Sequence, residues 1–469
     1  MNVGDAFAKA YDLLEAMHPI ALQLSVWSED PVMRAASREA SASIQSTGQV
    51  RMAALEVASP PALLGILSVL DRVLTRSSPL STSTEPLHRR LRETFQRTGR
   101  FNDSTDGAVL PRYVEGGRPR AMAEGLDEVF KNVRVRKATW DRCTQVNLHA
   151  PTMRRFDIVV PASKEISIAA LPLAGPGDIL MLHDITPEDV NVYLASPGPK
   201  IAPRVPQAMR KLRDSGASLG LIPEATLDDG ILAAWRAASD VNNPDWVLVG
   251  SGPVHGDYPG GSAPNGTYAT KTGAILAPNR AVLMHGPTGR VIAVQDKRYG
   301  FTILPDIKAA YLLKSAPDQP LGEGIIQGTS LTVIESRVGR VAMLVCEDLD
   351  RLAQDGPMLR ELGVSLVLVP VIAPPLLAYR WQHQASNALA KDVGSTVITI
   401  NSLALGRDEI VNDPKTGDDI KQPATTLQVI VPEANSYTTF RDPQGNPRHN
   451  VHTDAQDAMT LRNTTIRVP

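Results

Sequence analysis

Cysteine is nearly absent from this chain: its 469 residues include two, Cys143 and Cys346. Two thiols so far apart do not make a disulfide framework, and both are expected to stay reduced. Aromatic residues are scarce at 4%. No window approaches the roughly 18 uncharged apolar residues that a membrane-spanning helix needs, and the best apolar run, around Leu362 to Leu377, is interrupted by prolines. The first residues mix Asp5, Lys9, Asp12 and Glu15 into apolar positions. They therefore lack the uncharged core of a secretory signal, and a cytoplasmic location is expected. Charge of one sign is missing as well: 48 basic and 50 acidic residues leave a formal net charge of -2. No global field draws such a protein to nucleic acid or to an anionic membrane. The nine histidines show no zinc-type spacing, His449 and His452 reading as a solvated pair. No Gly-x-Ser-x-Gly elbow follows an apolar strand, which argues against a serine α/β-hydrolase. Gly250-Ser251-Gly252 and Gly260-Gly261 lack the partners of a nucleotide loop.

What is present suggests about two to three structural units. Residues 1–160 are expected to form a separate, mainly helical region. Apolar residues recur at helical spacing in Phe7, Ala10, Leu13 and Leu14, and again in Leu63, Ile66, Leu67, Leu70, Val73 and Leu74. Ser59-Pro60-Pro61 and the stretch from Ser77 to Thr84 divide the helices. The basic residues Arg112, Arg118, Arg120, Lys131, Arg134, Arg136 and Lys137 gather near its end, interspersed with acidic ones, and are best explained as a solvated face.

After Pro161 the texture changes to short β-rich apolar runs separated by helical stretches. Among the expected strands are Ile166 to Leu171, Ile179 to Leu182, Ser218 to Ile222, Trp246 to Ser251, Lys271 to Leu276, Val291 to Asp296, Arg340 to Val345 and Thr396 to Asn401. Helices are expected over Val205 to Ser215, Gly230 to Asn242, Pro357 to Leu362 and Arg380 to Val393. This rhythm implies a mixed α/β layer fold for residues 161–433. Residues 434–469 are polar and contain proline, and an extended or partly disordered arm is expected there.

Three stretches place a reactive side chain directly after an apolar run: Leu219-Gly220-Leu221-Ile222-Pro223-Glu224, Val291-Ile292-Ala293-Val294-Gln295-Asp296-Lys297-Arg298-Tyr299, and Val341-Ala342-Met343-Leu344-Val345-Cys346-Glu347-Asp348. Singly, each has a bland explanation: a solvated turn, a surface charge, a small buried hydrophobe. Together they have a chemical meaning. A cysteine nucleophile needs a base to take its proton and a fixed positive charge to stabilise an oxyanion.

That order of Glu, Lys and Cys at strand ends resembles the nitrilase superfamily of carbon-nitrogen hydrolases. Gly216-Ala217 before the first strand, Gly289-Arg290-Val291-Ile292 before the lysine, Gly322-Glu323-Gly324, Val338-Gly339-Arg340-Val341 and the helix with Trp381 are similar too. The resemblance covers about residues 161–431. It implies an αββα four-layer sandwich, preceded here by the helical region, and a dimer or larger homo-oligomer. It also implies that Glu224 is the base, Cys346 the nucleophile forming a thioester, and Glu323 the group that orients Lys297. Lys297 and the backbone N–H of Glu347 would bind the oxyanion, with Tyr299 a further candidate at the substrate. The substrate would be a small amide, carbamoyl compound or nitrile, and no metal or organic cofactor is required.

The sequence departs from that pattern after the nucleophile. Nitrilases proper commonly continue with Trp-Glu and many family amidases with Tyr-Asp, whereas Glu347-Asp348 follows here. The pair is similar to the glutaminase domains of NAD synthetases, but no ATP-binding synthetase domain accompanies it. The reading from another class is a non-catalytic nitrilase-like scaffold or small-molecule sensor whose helical region docks a partner.

Overall fold

The structure is a computed structural model. It describes residues 1–17, 30–103, 107–112, 126, 130, 133–136, 143–185, 191–263, 268–269, 275–313, 318–374, 381–406, 408–412, 419–423, 425–432, 440–441, 447–448, 450–454 and 457–468. Arg118, Arg120, Lys131, Lys137, His449 and residues 271–274 of an expected strand lie outside these. Two compact units are present. One comprises Met1–Asp141, Asn147–Arg154 and Pro357–Ser365, the other Arg142–Val146, Arg155–Gly356 and Leu366–Pro469.

In the first unit the helices Val3–Ala16, Pro31–Thr47, Met52–Glu56, Pro60–Thr75 and Pro86–Thr98 are joined by an antiparallel ribbon of Ala108–Pro111 with Val133–Arg136. Their ends follow local chemistry. Asn2 accepts the N–H of Asp5, and Asp30 caps Val32 and Met33. Gly48 and Gly99 close two helices in the left-handed conformation. The 3.6-residue periodicity buries Phe7, Leu14, Leu63, Leu67, Leu70, Leu74 and Phe95 in one core. Asp71, buried on the helix Pro60–Thr75, accepts the Val133 N–H at 3.0 Å and so fixes the ribbon to it.

The second unit is built on two large sheets, with a smaller four-stranded one of Thr302–Ile303, Leu321–Glu323, Asn191–Pro197 and Ile179–Ile185 beside them. The six-stranded sheet runs in the order Arg290–Asp296, Asn279–His285, Trp246–Pro253, Leu219–Ile222, Glu165–Ala170, Arg462–Arg467. Its centre, Glu165–Ala170, Leu219–Ile222 and Trp246–Pro253, is parallel. The seven-stranded sheet runs Asn450–Asp454, Thr425–Ile430, Thr396–Asn401, Leu366–Val371, Gly339–Met343, Leu331–Ser336, Cys143–Asn147, with Gly339–Met343, Leu366–Val371 and Thr396–Asn401 parallel. Strands buried on both faces explain the continuous apolar runs. The helices Ile201–Asp214 and Asp229–Ala237 cover the first sheet through Val205, Met209, Leu212, Leu232 and Trp235 against Val247, Val249 and Met284. The helix Trp381–Val393 covers the second, Ser386 meeting Thr399. The sheets meet where the Thr332 hydroxyl donates to the Val294 carbonyl at 2.7 Å and the Thr332 N–H donates to Gln295 at 2.7 Å. The layers are therefore helix, sheet, sheet, helix. Among the described residues no helix is long and apolar enough to cross a membrane.

Three expectations are corrected. The helix expected from Val205 begins at Ile201. Pro203 falls in its first turn, where no N–H partner is needed, and Pro206 forgoes one backbone bond without ending it. A strand the sequence reading overlooked, Asn279–His285, lies between Trp246–Pro253 and Arg290–Asp296. Finally, the segment expected to be an extended arm supplies Arg462–Arg467, which pairs antiparallel with Glu165–Ala170. As an edge strand it carries the polar, β-branched sequence Arg-Asn-Thr-Thr-Ile-Arg, whose polarity conceals it.

Asp157 is buried and accepts the N–H groups of Ile158 at 2.8 Å and Arg337 at 3.1 Å. Burial outweighs these bonds and pushes its carboxyl up to about 7. A raised folded value means that its stabilising contribution is present at acid pH and lost as pH rises through about 7. Between pH 6 and 8 the loss is on the order of 1 kcal/mol. Asp157→Asn should escape it, so urea unfolding of parent and variant should show the difference shifting by that amount in the variant's favour from pH 6 to pH 8.

Candidate active site

The ends of four strands converge. Leu219–Ile222 leads through Pro223 to Glu224, Arg290–Asp296 to Lys297, Gly339–Met343 through Leu344 and Val345 to Cys346, and Leu366–Val371 to Ile372. The carboxyl ends of parallel strands are where an open α/β sheet leaves a crevice, and a rigid sheet holds side chains there within narrow limits. The turn after Glu224 is tight, with Ala225 at φ 60°. It approaches Gly250 so closely that a Cβ there would lie 2.3 Å from the Thr226 hydroxyl and 2.5 Å from the Pro223 carbonyl. Only glycine permits that approach.

Lys297 is the centre of the constellation. Its ammonium lies 3.0 Å from Glu224 Oε1 and 2.7 Å from Glu323 Oε2, with all three side chains almost fully buried. Each carboxylate is held further: Glu224 Oε2 accepts the Ile372 N–H at 2.9 Å, and Glu323 Oε2 accepts the Phe301 N–H at 2.9 Å. Asn279 joins them, its Nδ2 donating to Glu224 at 2.8 Å and to Glu323 at 3.2 Å, while its backbone carbonyl accepts the Lys297 N–H at 2.8 Å. The preceding residue, Asp296, is bound by Arg280 and by the N–H groups of Ser262 and Ala263, which fixes the strand end carrying the lysine. Burial alone disfavours the ammonium, but Glu224 and Glu323 outweigh it, and the Lys297 pKa is raised well above its ordinary value. The lysine is a permanent cation.

Cys346 is 5% exposed and sits at φ 49°, in the left-handed region that non-glycine residues rarely adopt. Its Sγ lies 4.0 Å from the Ile372 carbonyl. Burial pushes the thiol pKa well up, the Glu224 charge adds to the rise, and Lys297 opposes it. Hence the resting side chain is a thiol, and ionisation must accompany reaction. It forms no disulfide with Cys143.

The structure therefore brings Glu224, Lys297, Glu323 and Cys346 together. Two other sequence candidates are placed differently. The Glu347 carboxylate is taken by Arg351 at 2.6 Å, so that only its backbone N–H, directly after Cys346, is left for the expected role. The Tyr299 ring lies beside the guanidinium groups of Arg298 and Arg351, at 5.3 and 5.8 Å. Sequence reasoning missed Asn279, Tyr193 and Tyr311. The two tyrosines are buried in one small apolar cluster with Ile303, Leu313 and Leu321, within the field of Glu224 and Lys297. Burial raises the pKa of both phenols. No motif spacing signals them, because they reach the site from separate strands and turns. Among the described residues no group of three or more His, Cys, Asp or Glu side chains is arranged to hold a metal ion.

No protein-family model and no curated protein matches the chain. Solved structures with a similar course include the C. elegans NitFhit protein, at 12% identity and a TM-score of 0.38, the match covering 65% of this chain and 61% of that one. An amidase from Nesterenkonia sp. AN1, with acrylamide added to its active-site cysteine, is 16% identical with a TM-score of 0.36, covering 65% of this chain and 93% of that one. XC1258 from Xanthomonas campestris, a CN-hydrolase superfamily protein, is 17% identical with a TM-score of 0.36, covering 64% of this chain and 90% of that one. The chemistry of the site rests on its own geometry.

Removing the lysine isolates two buried carboxylates. Lys297→Met should lower unfolding stability by about 3–5 kcal/mol at neutral pH. Cys346→Ala, which removes no charge, should cost far less in the same urea titration.

Proposed function

We propose that the protein is a carbon-nitrogen hydrolase that cleaves the non-peptide C–N bond of a small amide, carbamoyl compound or nitrile through a thioester on Cys346. The observation that carries this reading is the buried Lys297 ammonium, bonded to both Glu224 and Glu323, beside a cysteine in a left-handed turn. Each of these features is costly to folding on its own, and acyl transfer uses all of them.

For an amide, Glu224 takes the thiol proton as Cys346 Sγ attacks the carbonyl carbon. Lys297 and the Glu347 N–H receive the developing oxyanion. Collapse of the tetrahedral intermediate breaks the C–N bond, and Glu224 returns the proton to the leaving ammonia or amine. Glu224 then activates water, which adds to the thioester and releases the acid and the thiol. Coupling deprotonation to attack suits a thiol whose resting pKa is raised. Glu323 orients the lysine. No cofactor enters this sequence.

The cations flanking the turn have partners of their own: Arg298 is held by Asp355 and Arg351 by Glu347. With the apolar group around Tyr193 and Tyr311, this favours a substrate uncharged near the reacting carbon. Assembly as a dimer or larger homo-oligomer is part of the same proposal.

The test is ammonia release from a panel of amides, ureas, carbamoyl amino acids, glutamine and nitriles. Release should disappear in Cys346→Ala and fall about 10²–10⁴-fold in Glu224→Gln. Silence of the parent protein across the panel would turn the reading towards the scaffold or sensor alternative.

A further inference from the structure

We infer that Asp348 is a positioning residue that ties the lysine-bearing strand end to the nucleophile turn, so that cation and thiol are held in register by one carboxylate. This rests on the reading of Lys297 and Cys346 given above.

The side chain of Asp348 is completely buried. Its Oδ1 accepts the N–H groups of Arg298 at 3.0 Å and Tyr299 at 2.9 Å, the two residues after Lys297. Its Oδ2 accepts the N–H of Val345, the residue before Cys346, at 3.1 Å. Its own N–H donates to the Val345 carbonyl at 3.1 Å, closing the turn. One side chain thus spans the six-stranded and seven-stranded sheets at the point where each delivers a reactive group. It also braces Cys346 in its left-handed conformation, which persists only where neighbours over-determine it.

A carboxylate suits this place because both of its oxygens accept. Asparagine accepts at one oxygen only. It can hold the pair at Arg298 and Tyr299 or the single N–H at Val345, and it turns an NH₂ donor towards whichever end it loses. The protonated acid has the same defect. The charged groups around Asp348 are Lys297, Arg298 with its partner Asp355, and Glu347 with its partner Arg351. Burial, opposed by the three N–H bonds and by Lys297, raises the Asp348 carboxyl to about 7. Protonation of the tie therefore falls in a measurable range.

Two measurements test the inference. In the wild-type protein the amide signals of Val345, Arg298 and Tyr299 should shift together between pH 5.5 and 9 with a common midpoint near neutrality, a movement that needs no substrate and no variant. Signals that move with separate midpoints, or that keep their wild-type positions in Asp348→Asn, overturn the tie. With the simplest panel amide that the parent hydrolyses, Asp348→Asn should lower kcat at least tenfold and leave KM within about threefold, because the substrate pocket stays while nucleophile and cation lose register. A kcat within twofold of the parent, or a loss confined to KM, overturns it. If the parent releases no ammonia from any panel compound, the hydrolase reading fails and the amide titration alone decides the tie. If Asp348→Asn does not fold, the wild-type titration decides likewise.

Discussion

The buried ion cluster of Lys297 with Glu224 and Glu323 is the constraint to which the rest of the second unit answers. Removing a charge from water costs several kcal/mol, and mutual attraction offsets this only when geometry is good and the remaining lone pairs are bonded. Here the remaining lone pairs are bonded: Ile372, Phe301 and Asn279 donate to the two carboxylates. Those donors come from the ends of both large sheets and, in Phe301, from the residue just before the short strand Thr302–Ile303. The cluster is satisfied only when all of them are docked, and it therefore couples folding to the assembly of the site.

The same coupling gives the site its chemical character. The two carboxylates raise the pKa of Lys297, and Glu224 lies beside a thiol whose pKa burial raises. In the proposed reaction, proton transfer and attack are linked events, and a buried thiol is less open to oxidation and alkylation than a standing thiolate. The left-handed turn at Cys346 places that residue just past the end of the strand Gly339–Met343.

Much of the fold was legible in the residues because strands buried on both faces read as unbroken apolar runs, as around Trp246 and Leu366. Elements failed to show where environment departs from that rule. Arg462–Arg467 is polar because it lies on a sheet edge, and Asn279–His285 opens with a polar Asn-Arg pair that tertiary contacts commit to the ion cluster and to Asp296. Helical periodicity marked the first unit for a similar reason: one apolar stripe per helix builds its core.

By itself, the sequence determined which side chains stand at strand ends, since an apolar run that stops at Glu224, Lys297 or Cys346 fixes the local position of each. It also limited the charge chemistry available, by holding two cysteines and balanced charge. Only the tertiary structure decided that these ends meet, that Asn279 bonds both glutamates, that Asp348 bonds the backbone beside Lys297 and Cys346, that Arg351 takes the Glu347 carboxylate, and that Tyr193 and Tyr311 lie near them. The physical reason is that local propensity acts over a few residues, whereas hydrogen bonds between residues 50 to 150 positions apart exist only after both sheets have packed.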